Sequence, residues 1–207
     1  MSGPLHLPSL ESEVLEFWRR SDIPSAFARR NVDGPRWVTY EGPPTVNGAP
    51  ALHHVWTSTY KDVYARFQTL RGKRVERKGG WDCQGLPVEI AVERSLGLKN
   101  KRDIEEYGVA DFVRKCRELV DGNIATFEQV FSRIGYWVDF DNAYRTMDDG
   151  FLESVWWQIK QMWDQDLVFE GSKVVPYCTR CATALSSHEL GQPGVYREVT
   201  HRSMFVA

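Results

Sequence analysis

The stretch that decides the fold is residues 37–63, WVTYEGPPTVNGAPALHHVWTSTYKDV. It opens with a β-branched and aromatic run, passes through a loop rich in Gly, Pro and Asn, and ends in a helical pattern with Val55, Val63 and Phe67 on one face. The pattern predicts a strand over residues 37–40, a tight loop and then a helix. Where such a unit begins a parallel sheet, phosphate-bearing ligands bind beyond the end of the strand, at the N-terminus of the helix. We therefore expect this stretch to bind a nucleotide.

The composition is that of a globular protein. The chain has 207 residues, 42% of them hydrophobic, and a formal net charge of −2, which allows a buried core but gives no overall basic field for nucleic acid. One local basic cluster is either a solvated turn or a nucleic-acid contact, and it comprises Arg71, Lys73, Arg74, Arg77 and Lys78. Because no apolar run reaches the roughly 18 residues of a transmembrane helix and the first residues lack signal-peptide features, we expect no membrane contact and a cytoplasmic location.

A second loop follows residues 74–77, which predict another short strand. This loop reads GGWDCQGLPVEIAVERSLG over residues 79–97 and turns into a helix at Leu86. Asp82 comes just after the predicted strand end, where a parallel sheet exposes its ligand crevice, so its carboxylate could hold a substrate ammonium group. By residue type alone, a capping or turn role for Asp82 is the more common alternative.

Most of the remaining chain is predicted to be helical. Residues 8–27 show helical spacing with a restart at Asp22, which predicts a helical arm. Residues 101–138 carry a long apolar stripe that is typical of a buried core. A further helix after Asp148 is expected to turn its apolar residues inward, namely Phe151, Val155, Ile159, Met162 and Trp163.

The last part of the chain is predicted to form a hairpin that ends in a Cys-x-x-Cys turn. Residues 167–177 show two short β-type runs around a Gly-Ser turn. Cys178 and Cys181 then supply two thiolates, which is half of a four-ligand structural zinc site. The missing ligands could be His188, a second cysteine pair, or none at all. A redox dithiol is the competing interpretation, weakened because no thioredoxin-like unit surrounds the motif.

These motifs resemble those of the class I aminoacyl-tRNA synthetases, and most closely the isoleucyl branch of that family. The loop at residues 43–48, PPTVNG, resembles the entry loop of the family. Residues 81–89, WDCQGLPVE, resemble its Trp-Asp-Thr-His-Gly-Leu-Pro-Val-Glu segment, with departures at Cys83 and Gln84. The Cys-x-x-Cys turn resembles the knuckle that precedes the editing domain of the family, so the resemblance covers nearly the whole chain.

The resemblance implies an α/β fold class, with the chain forming the first half of a Rossmann-type parallel-sheet nucleotide-binding fold with a helical insertion and a Cys-x-x-Cys hairpin knuckle. The implied domains are a helical arm over residues 1–35, the first catalytic half over residues 36–170, and a hairpin or zinc knuckle over residues 171–207. The second half of the fold and the editing and anticodon-binding domains are not in this sequence. We therefore expect about three parallel strands with an uncovered apolar flank, which a C-terminal part could cover in trans.

The resemblance also implies the residues of the site. Asp82 would bind the amino group of isoleucine, with Pro43 beside it and Gln84 as a weaker candidate. The ATP-binding positions would be Asn47, Gly48, His53 and His54, of which the two histidines would be catalytic. Cys178 and Cys181 would be the metal ligands, with zinc as the candidate metal.

The histidine signature departs from the family's pattern. Its His-x-Gly-His positions read Ala51-Leu52-His53-His54 here, so only the last histidine matches. A variant bacterial branch of the isoleucyl enzymes also has two consecutive histidines, and we expect this chain to belong to it. The implied function is part of an isoleucine–tRNA ligase, which activates isoleucine with ATP and transfers it to tRNA, the 207-residue piece being inactive alone. The alternatives are an inert truncated paralogue that binds or regulates, and a small zinc-binding interaction module.

Overall fold

The computed structural model describes residues 6–39, 41–191 and 194–206. The helices are α1 (Leu7–Arg20), α2 (Ile23–Ala28), α3 (Leu52–Leu70), α4 (Leu86–Leu96), α5 (Lys101–Tyr107), α6 (Val109–Arg133), α7 (Asp149–Trp163) and α8 (Ser187–Leu190). The strands are β1 (Arg36–Trp37), β2 (Arg74–Val75), β3 (Lys78–Trp81), β4 (Asp139–Arg145), β5 (Tyr177–Cys178) and β6 (Thr183–Ala184). Within the described ranges, no helix is both long enough and apolar enough to cross a membrane.

Some predictions fall partly outside the described residues. Tyr40, the last residue of the predicted first strand, is one such position, and residues 1–5 of the predicted arm are others. The same holds for residues 192, 193 and 207 of the predicted knuckle segment.

Three parallel chain segments lie side by side in the sheet. β1 pairs with β2 and β3 pairs with β4, both in parallel, and Thr45 forms a parallel bridge with Asp82. The Trp81 carbonyl accepts a hydrogen bond from the chain after β4, whereas the Asp82 backbone bonds to the chain after β1. Since neighbouring residues of a strand point their backbone groups to opposite sides, residues 74–82 are the middle segment. The sequence predicts about three such segments, although β1 is shorter than the predicted strand.

The core is an aromatic cluster beneath α6. Trp81 stacks on Phe131 and Phe140, with ring centroids 6.2 and 5.6 Å apart, and Phe127 meets it edge-on at 5.9 Å. The predicted apolar stripe is indeed buried on α6, where the buried residues are Phe112, Val120, Ile124, Phe127 and Phe131. The predicted helical stretch is divided into α5 and α6 because Gly108, at φ +105°, ends one helix and begins the next.

The boundaries of α3 agree with the sequence, and its packed face is made of small and polar residues. The helix ends at Leu70 and Gly72 follows at φ +83°, as a left-handed glycine after a helix. Val63 and Phe67, which the helical pattern puts on one face, are both more than half exposed. The buried residues of α3 are Ser58, Asp62, Ala65 and Thr69. Ion pairs and small side chains therefore occupy the packed face, and the apolar face is exposed.

Asp62 is the centre of a buried ion cluster beneath α3. Its carboxylate accepts hydrogen bonds from Arg66 Nε at 2.5 Å and from Arg77 Nη1 at 2.9 Å. The Arg66 guanidinium also lies over Trp137, 3.5 Å from the ring centroid. The side chain of Arg77 is only 7% exposed, and burial lowers its pKa. Arg77 is therefore a structural cation, which removes it from the predicted basic surface cluster.

The N-terminal arm is held by aromatic contacts at the end of α6. Trp18 meets Trp137 edge-on at 5.0 Å, and Phe27 meets the same ring at 5.3 Å. Trp18 also lies against Gly135, where an added Cβ would be 2.8 Å from the indole and the φ of +71° favours glycine. Neither α1 nor α2 has a buried residue in the described range, so a few side chains carry the contact.

The chain after β4 departs most from the prediction. α7 begins after Asp148 as expected, but no residue of α7 is buried, so the predicted inward face is wrong. Residues 167–176 form no strand, and the hairpin predicted around the Gly-Ser turn is also wrong. Apolar residues there have nothing to pack against, as Phe169 and Val174 show at 85% and 99% exposure. The antiparallel hairpin forms further along, between β5 and β6, and its turn holds the Cys-x-x-Cys sequence.

Candidate functional site

The candidate site lies where the loop after β1 meets the end of β3. The Asp82 N–H donates to the Pro44 carbonyl at 3.1 Å, and the Val46 N–H donates to the Asp82 carbonyl at 3.0 Å. The Thr45 hydroxyl donates to Asp82 Oδ2 at 2.6 Å. The other carboxylate oxygen, Oδ1, has no hydrogen-bond partner among the described residues. The two loops singled out in the sequence are therefore adjacent, and the carboxylate has one oxygen fixed and one available.

The opposite side of the β3 end is fixed by the chain after β4. The Thr146 N–H donates to the Trp81 carbonyl at 3.1 Å, and the Thr146 hydroxyl accepts from the Cys83 N–H at 2.9 Å. The Cys83 thiol is buried and donates to the Trp81 carbonyl at 3.3 Å, and burial raises its pKa. Cys83, one of the departures from the family segment, is therefore a structural residue of the turn. Gln84, the other departure, lies beside it and is exposed.

His54 packs on the same aromatic cluster that supports Asp82. Its ring meets Phe127 edge-on at 5.0 Å, and Phe127 in turn packs against Trp81, the residue before Asp82. His54 belongs to the first turn of α3, whose N-terminus carries a partial positive charge. The start of α3 and the end of β3 are therefore joined through Phe127.

The ring of His54 is held in one neutral form. The Ala51 N–H donates to His54 Nδ1 at 2.9 Å, so Nδ1 is unprotonated and the neutral ring carries its hydrogen on Nε2. Partial burial lowers the pKa of His54, and the adjacent His53 ring, 3.9 Å away between centroids, lowers it further. His54 is therefore a neutral hydrogen-bond donor near pH 7.

The rest of the entry loop is anchored at one point and open elsewhere. Val46 is fully buried, and its carbonyl accepts from Asn123 Nδ2 at 2.8 Å. Asn47 is exposed beside it. An added Cβ at Gly42 or Gly48 would meet nothing within 4 Å. The packing of the chain itself does not require glycine at these two positions, so the space beside them is available to a ligand.

Sequence reasoning missed a group of side chains around Glu41. Lys61 Nζ donates to the Glu41 carboxylate and, at 3.1 Å, to the Gly42 carbonyl. The Tyr136 hydroxyl donates to Glu41 Oε2 at 2.6 Å, and the Tyr144 hydroxyl donates to the Glu41 carbonyl at 3.0 Å. These partners are 20, 95 and 103 residues away along the chain, so no local pattern could have revealed them.

The Cys-x-x-Cys turn lies on α4 through an ion pair. Arg180 Nη2 donates to Glu93 at 2.5 Å, and the Glu93 side chain is 8% exposed. The Cys181 N–H donates to the Cys178 thiol at 3.4 Å, and hydrogen bonds of this kind lower the pKa of Cys178. Across the described ranges, no group of three or more His, Cys, Asp or Glu residues is arranged to hold a metal ion. The two thiols therefore form a pair without further ligands in this part of the molecule.

Sequence comparison finds a matching family and close relatives along nearly the whole chain. The family model for class I tRNA synthetases (I, L, M and V) matches residues 13–205. An isoleucine–tRNA ligase of Thermobifida fusca is 50% identical over 206 residues, which is 100% of this chain and 19% of that protein. One from Thermus thermophilus is 46% identical over 204 residues, which is 99% of this chain and again 19% of the relative.

A solved structure shows the same fold at lower identity. The LeuRS of Agrobacterium radiobacter K84, in a ternary complex with tRNA and LeuAMS, matches 87% of this chain and 20% of its own chain, with a TM-score of 0.61 and 19% identity. At that identity the match shows the class I synthetase catalytic fold alone. The chain spans about a fifth of the length of these relatives and corresponds to their N-terminal part. With a family model over most of its length and relatives near 50% identity over all of it, the chain belongs to the class I tRNA synthetases, alongside the isoleucine–tRNA ligases.

Proposed function

We propose that this chain forms the amino-acid and ATP side of the catalytic domain of an isoleucine–tRNA ligase. In that reaction the isoleucine carboxylate displaces pyrophosphate from the α-phosphorus of ATP, and the resulting adenylate passes the amino acid to tRNA. The observation that supports the proposal most directly is the Thr45–Asp82 bridge, because it places the entry loop beside the carboxylate. Catalysis of this type depends mainly on positioning and charge stabilisation, which fixed loops can supply.

Asp82 is the proposed partner of the isoleucine ammonium group. Its Oδ2 is oriented by Thr45, and its backbone N–H and carbonyl are both bonded to the entry loop, which leaves Oδ1 for a cation. A carboxylate that is already oriented loses little side-chain entropy when it binds a substrate. Pro43 is proposed to border the amino-acid side chain, with Gln84 next to the same pocket. The choice of isoleucine itself follows the relatives.

The ATP side is proposed to use the start of α3 and the loop before it. The N-terminus of a 19-residue helix attracts phosphate through its free N–H groups and its dipole. His54 would add one neutral N–H donor from Nε2, and His53 a second ring. Asn47 and Gly48 border the open space beside the loop. We propose that these four residues contact ATP, and that the double histidine is the variant form of the family signature.

The C-terminal hairpin and the exposed apolar face of α7 are proposed to need contacts from further polypeptide. The two thiols of Cys178 and Cys181 suit zinc chemically, but a structural zinc site takes four ligands and the described residues provide two. The remaining ligands and the cover for α7 would have to come from further polypeptide, in cis or in trans. A cytoplasmic location, with tRNA as the second substrate, is part of the same proposal.

The test is binding of a non-hydrolysable isoleucyl adenylate to the purified chain by calorimetry. Asp82→Asn should weaken binding about 10- to 100-fold, because it removes one charge-assisted hydrogen bond to the ammonium group. The matched control is Asp121→Asn, which alters a surface aspartate paired with Arg145 and should leave binding unchanged.

Equal affinity of the Asp82→Asn variant and the unaltered chain would contradict the proposed amino-acid site. Binding without isoleucine-dependent pyrophosphate exchange, measured after this chain replaces the matching N-terminal part of a full-length relative, would instead favour the inert-paralogue alternative.

A further inference from the structure

Glu41 is hydrogen-bonded to α3, to the segment before β4 and to β4 itself. Its carboxylate is 11% exposed and accepts from Lys61 on α3 and from Tyr136 at the start of the β4 segment. Its carbonyl accepts from Tyr144 on β4 at 3.0 Å. Lys61 in turn donates to the Gly42 carbonyl. α3, β4 and the segment before β4 are therefore all bonded to Glu41 or Gly42.

These two residues lie immediately before the loop that carries the candidate site. Pro43 follows Gly42 directly, and the Pro44 carbonyl is the acceptor for the Asp82 N–H. Lys61 is seven residues after His54 on α3, or about two helical turns. A displacement of Glu41 would therefore move the amino-acid loop relative to the helix that bears the histidines.

We infer that Glu41 is a positioning residue, which through Lys61 and Tyr136 fixes the amino-acid loop against the ATP-side helix. The inference rests on the proposed function for its catalytic consequence, but its structural part can be measured without any substrate. Charge-assisted hydrogen bonds are stronger than neutral ones, and Glu41 has one from an ammonium group together with one from a buried phenol. The carboxylate therefore resists displacement more than a neutral side chain would.

The side chains that face Glu41 are hydrogen-bond donors or cations, so the Glu41 carboxylate is their common acceptor. Burial and the Glu41 charge both raise the pKa of Tyr136, so its hydroxyl stays a donor at every physiological pH. The same two causes raise the pKa of Tyr144. A cavity of about 20 Å³ lies beside Glu41, and its other charged residues, Lys61, Lys78 and Arg77, are all cationic.

The structural test is amide hydrogen exchange in the purified 207-residue chain. The reporters are the Val46 and Asp82 N–H groups, which join the loop to β3, and the internal reference is the Thr146 N–H on the opposite side of β3. With Glu41→Gln we expect exchange at the two reporters to rise about tenfold relative to Thr146, the change expected when one charge-assisted bond is lost. A purely global destabilisation would raise all three rates by the same factor.

Two further variants make this result decisive. Tyr136→Phe removes only the hydroxyl and keeps the ring contact with Phe131, so it should reproduce the same reporter pattern even if Glu41→Gln does not fold. Glu93→Gln is the matched control, because it alters another buried glutamate, which lies on α4 and pairs with Arg180 rather than with the loop. The inference is overturned if the reporters and Thr146 change in parallel in Tyr136→Phe, or if Glu93→Gln gives the same pattern.

The catalytic consequence is tested by isoleucine-dependent pyrophosphate exchange in a full-length relative whose matching N-terminal part is replaced by this chain. Glu41→Gln should raise the KM for isoleucine about tenfold and the KM for ATP by a smaller factor, because Asn47 and Gly48 follow the loop whereas the two histidines stay on α3, which keeps its packing on Phe127. Glu41→Asp should recover part of the loss, since it retains the charge. If the protein shows no isoleucine-dependent pyrophosphate exchange at all, the proposed function is refuted. The amide hydrogen exchange rates still show whether Glu41 fixes the loop. If pyrophosphate exchange is present and both KM values rise by the same factor, the positioning role is refuted.

Discussion

α6 and α7 are both long helices with apolar side chains, and they lie in opposite environments. α6 buries five residues, among them Phe127 and Phe131, which pack around Trp81. α7 buries none, and its Trp156 and Trp157 are 69% and 64% exposed. The difference lies in what is opposite each helix, because an apolar stripe is buried only where another element covers it. An apolar surface of this kind is typical of a contact site for further polypeptide.

The difference in burial between α6 and α7 is tested by removing one aromatic side chain from each helix. Phe127→Ala should lower the free energy of unfolding by about 3–5 kcal/mol, because it opens a cavity between Trp81, Phe131 and His54. Trp156→Ala on α7 should change it by less than about 0.5 kcal/mol, since that side chain is mostly exposed. Urea denaturation followed by circular dichroism measures both variants. Similar losses of unfolding free energy in the two variants would mean that α7 is packed in solution and that the two helices do not differ in burial.

A second test compares Gly80, in the packed strand β3, with Gly150, in the exposed helix α7. An added Cβ at Gly80 would lie 2.3 Å from the Tyr144 ring, which cannot move freely because its hydroxyl bonds to Glu41 and its face stacks on Phe151. Gly80→Ala should therefore cost about 1–3 kcal/mol of unfolding free energy. Gly150→Ala in α7 meets nothing within 4 Å and should be neutral or stabilising by up to about 1 kcal/mol. A neutral Gly80→Ala variant would show that β3 and β4 are less closely paired than described.

The smallest expected effect is a pH dependence at the edge of the packed region. Burial against Phe127 lowers the pKa of His54 below its ordinary value of 6.5, so the unfolded chain binds the proton more tightly. This contribution to stability is complete above about pH 6.5 and is lost as the pH falls toward the lower pKa of the folded state. Urea midpoints measured from pH 7.5 to 5 should fall more steeply for the unaltered chain than for His54→Gln. Identical slopes would mean that the ring titrates alike in both states.

The parts of the fold that could be predicted were those with a local signal. The ends of α3 follow from the helical spacing and from Gly72, and the turn into α4 follows from Gly85 and Pro87. The neighbouring positions of the entry loop and Asp82 could be predicted because parallel strands expose their carboxyl ends at one edge. Each of these depends on residues close together in the sequence or on a general rule of sheet geometry.

The parts that could not be predicted depend on distant partners. The buried face of α3 is set by Asp62, whose partner Arg77 lies beyond the end of the helix, so the spacing of apolar residues within the helix does not reveal it. The inward face predicted for α7 failed because nothing in the described ranges covers it. Glu41 was missed because its partners, like that of Asp62, are distant along the chain. A single acid before a glycine also has no pattern of its own. The roles of the individual site residues stay predictions until a ligand is bound.

The different surroundings of the four thiols have a practical consequence for chemical labelling. Burial raises the pKa of Cys83 and of Cys116, so both should react slowly with alkylating reagents. Hydrogen bonds lower the pKa of Cys178, whereas partial burial raises that of Cys181. A maleimide dye or spin probe at limiting concentration should therefore attach first at Cys178, in the turn that Arg180 ties to α4. This gives a reporter on the hairpin without any engineered cysteine.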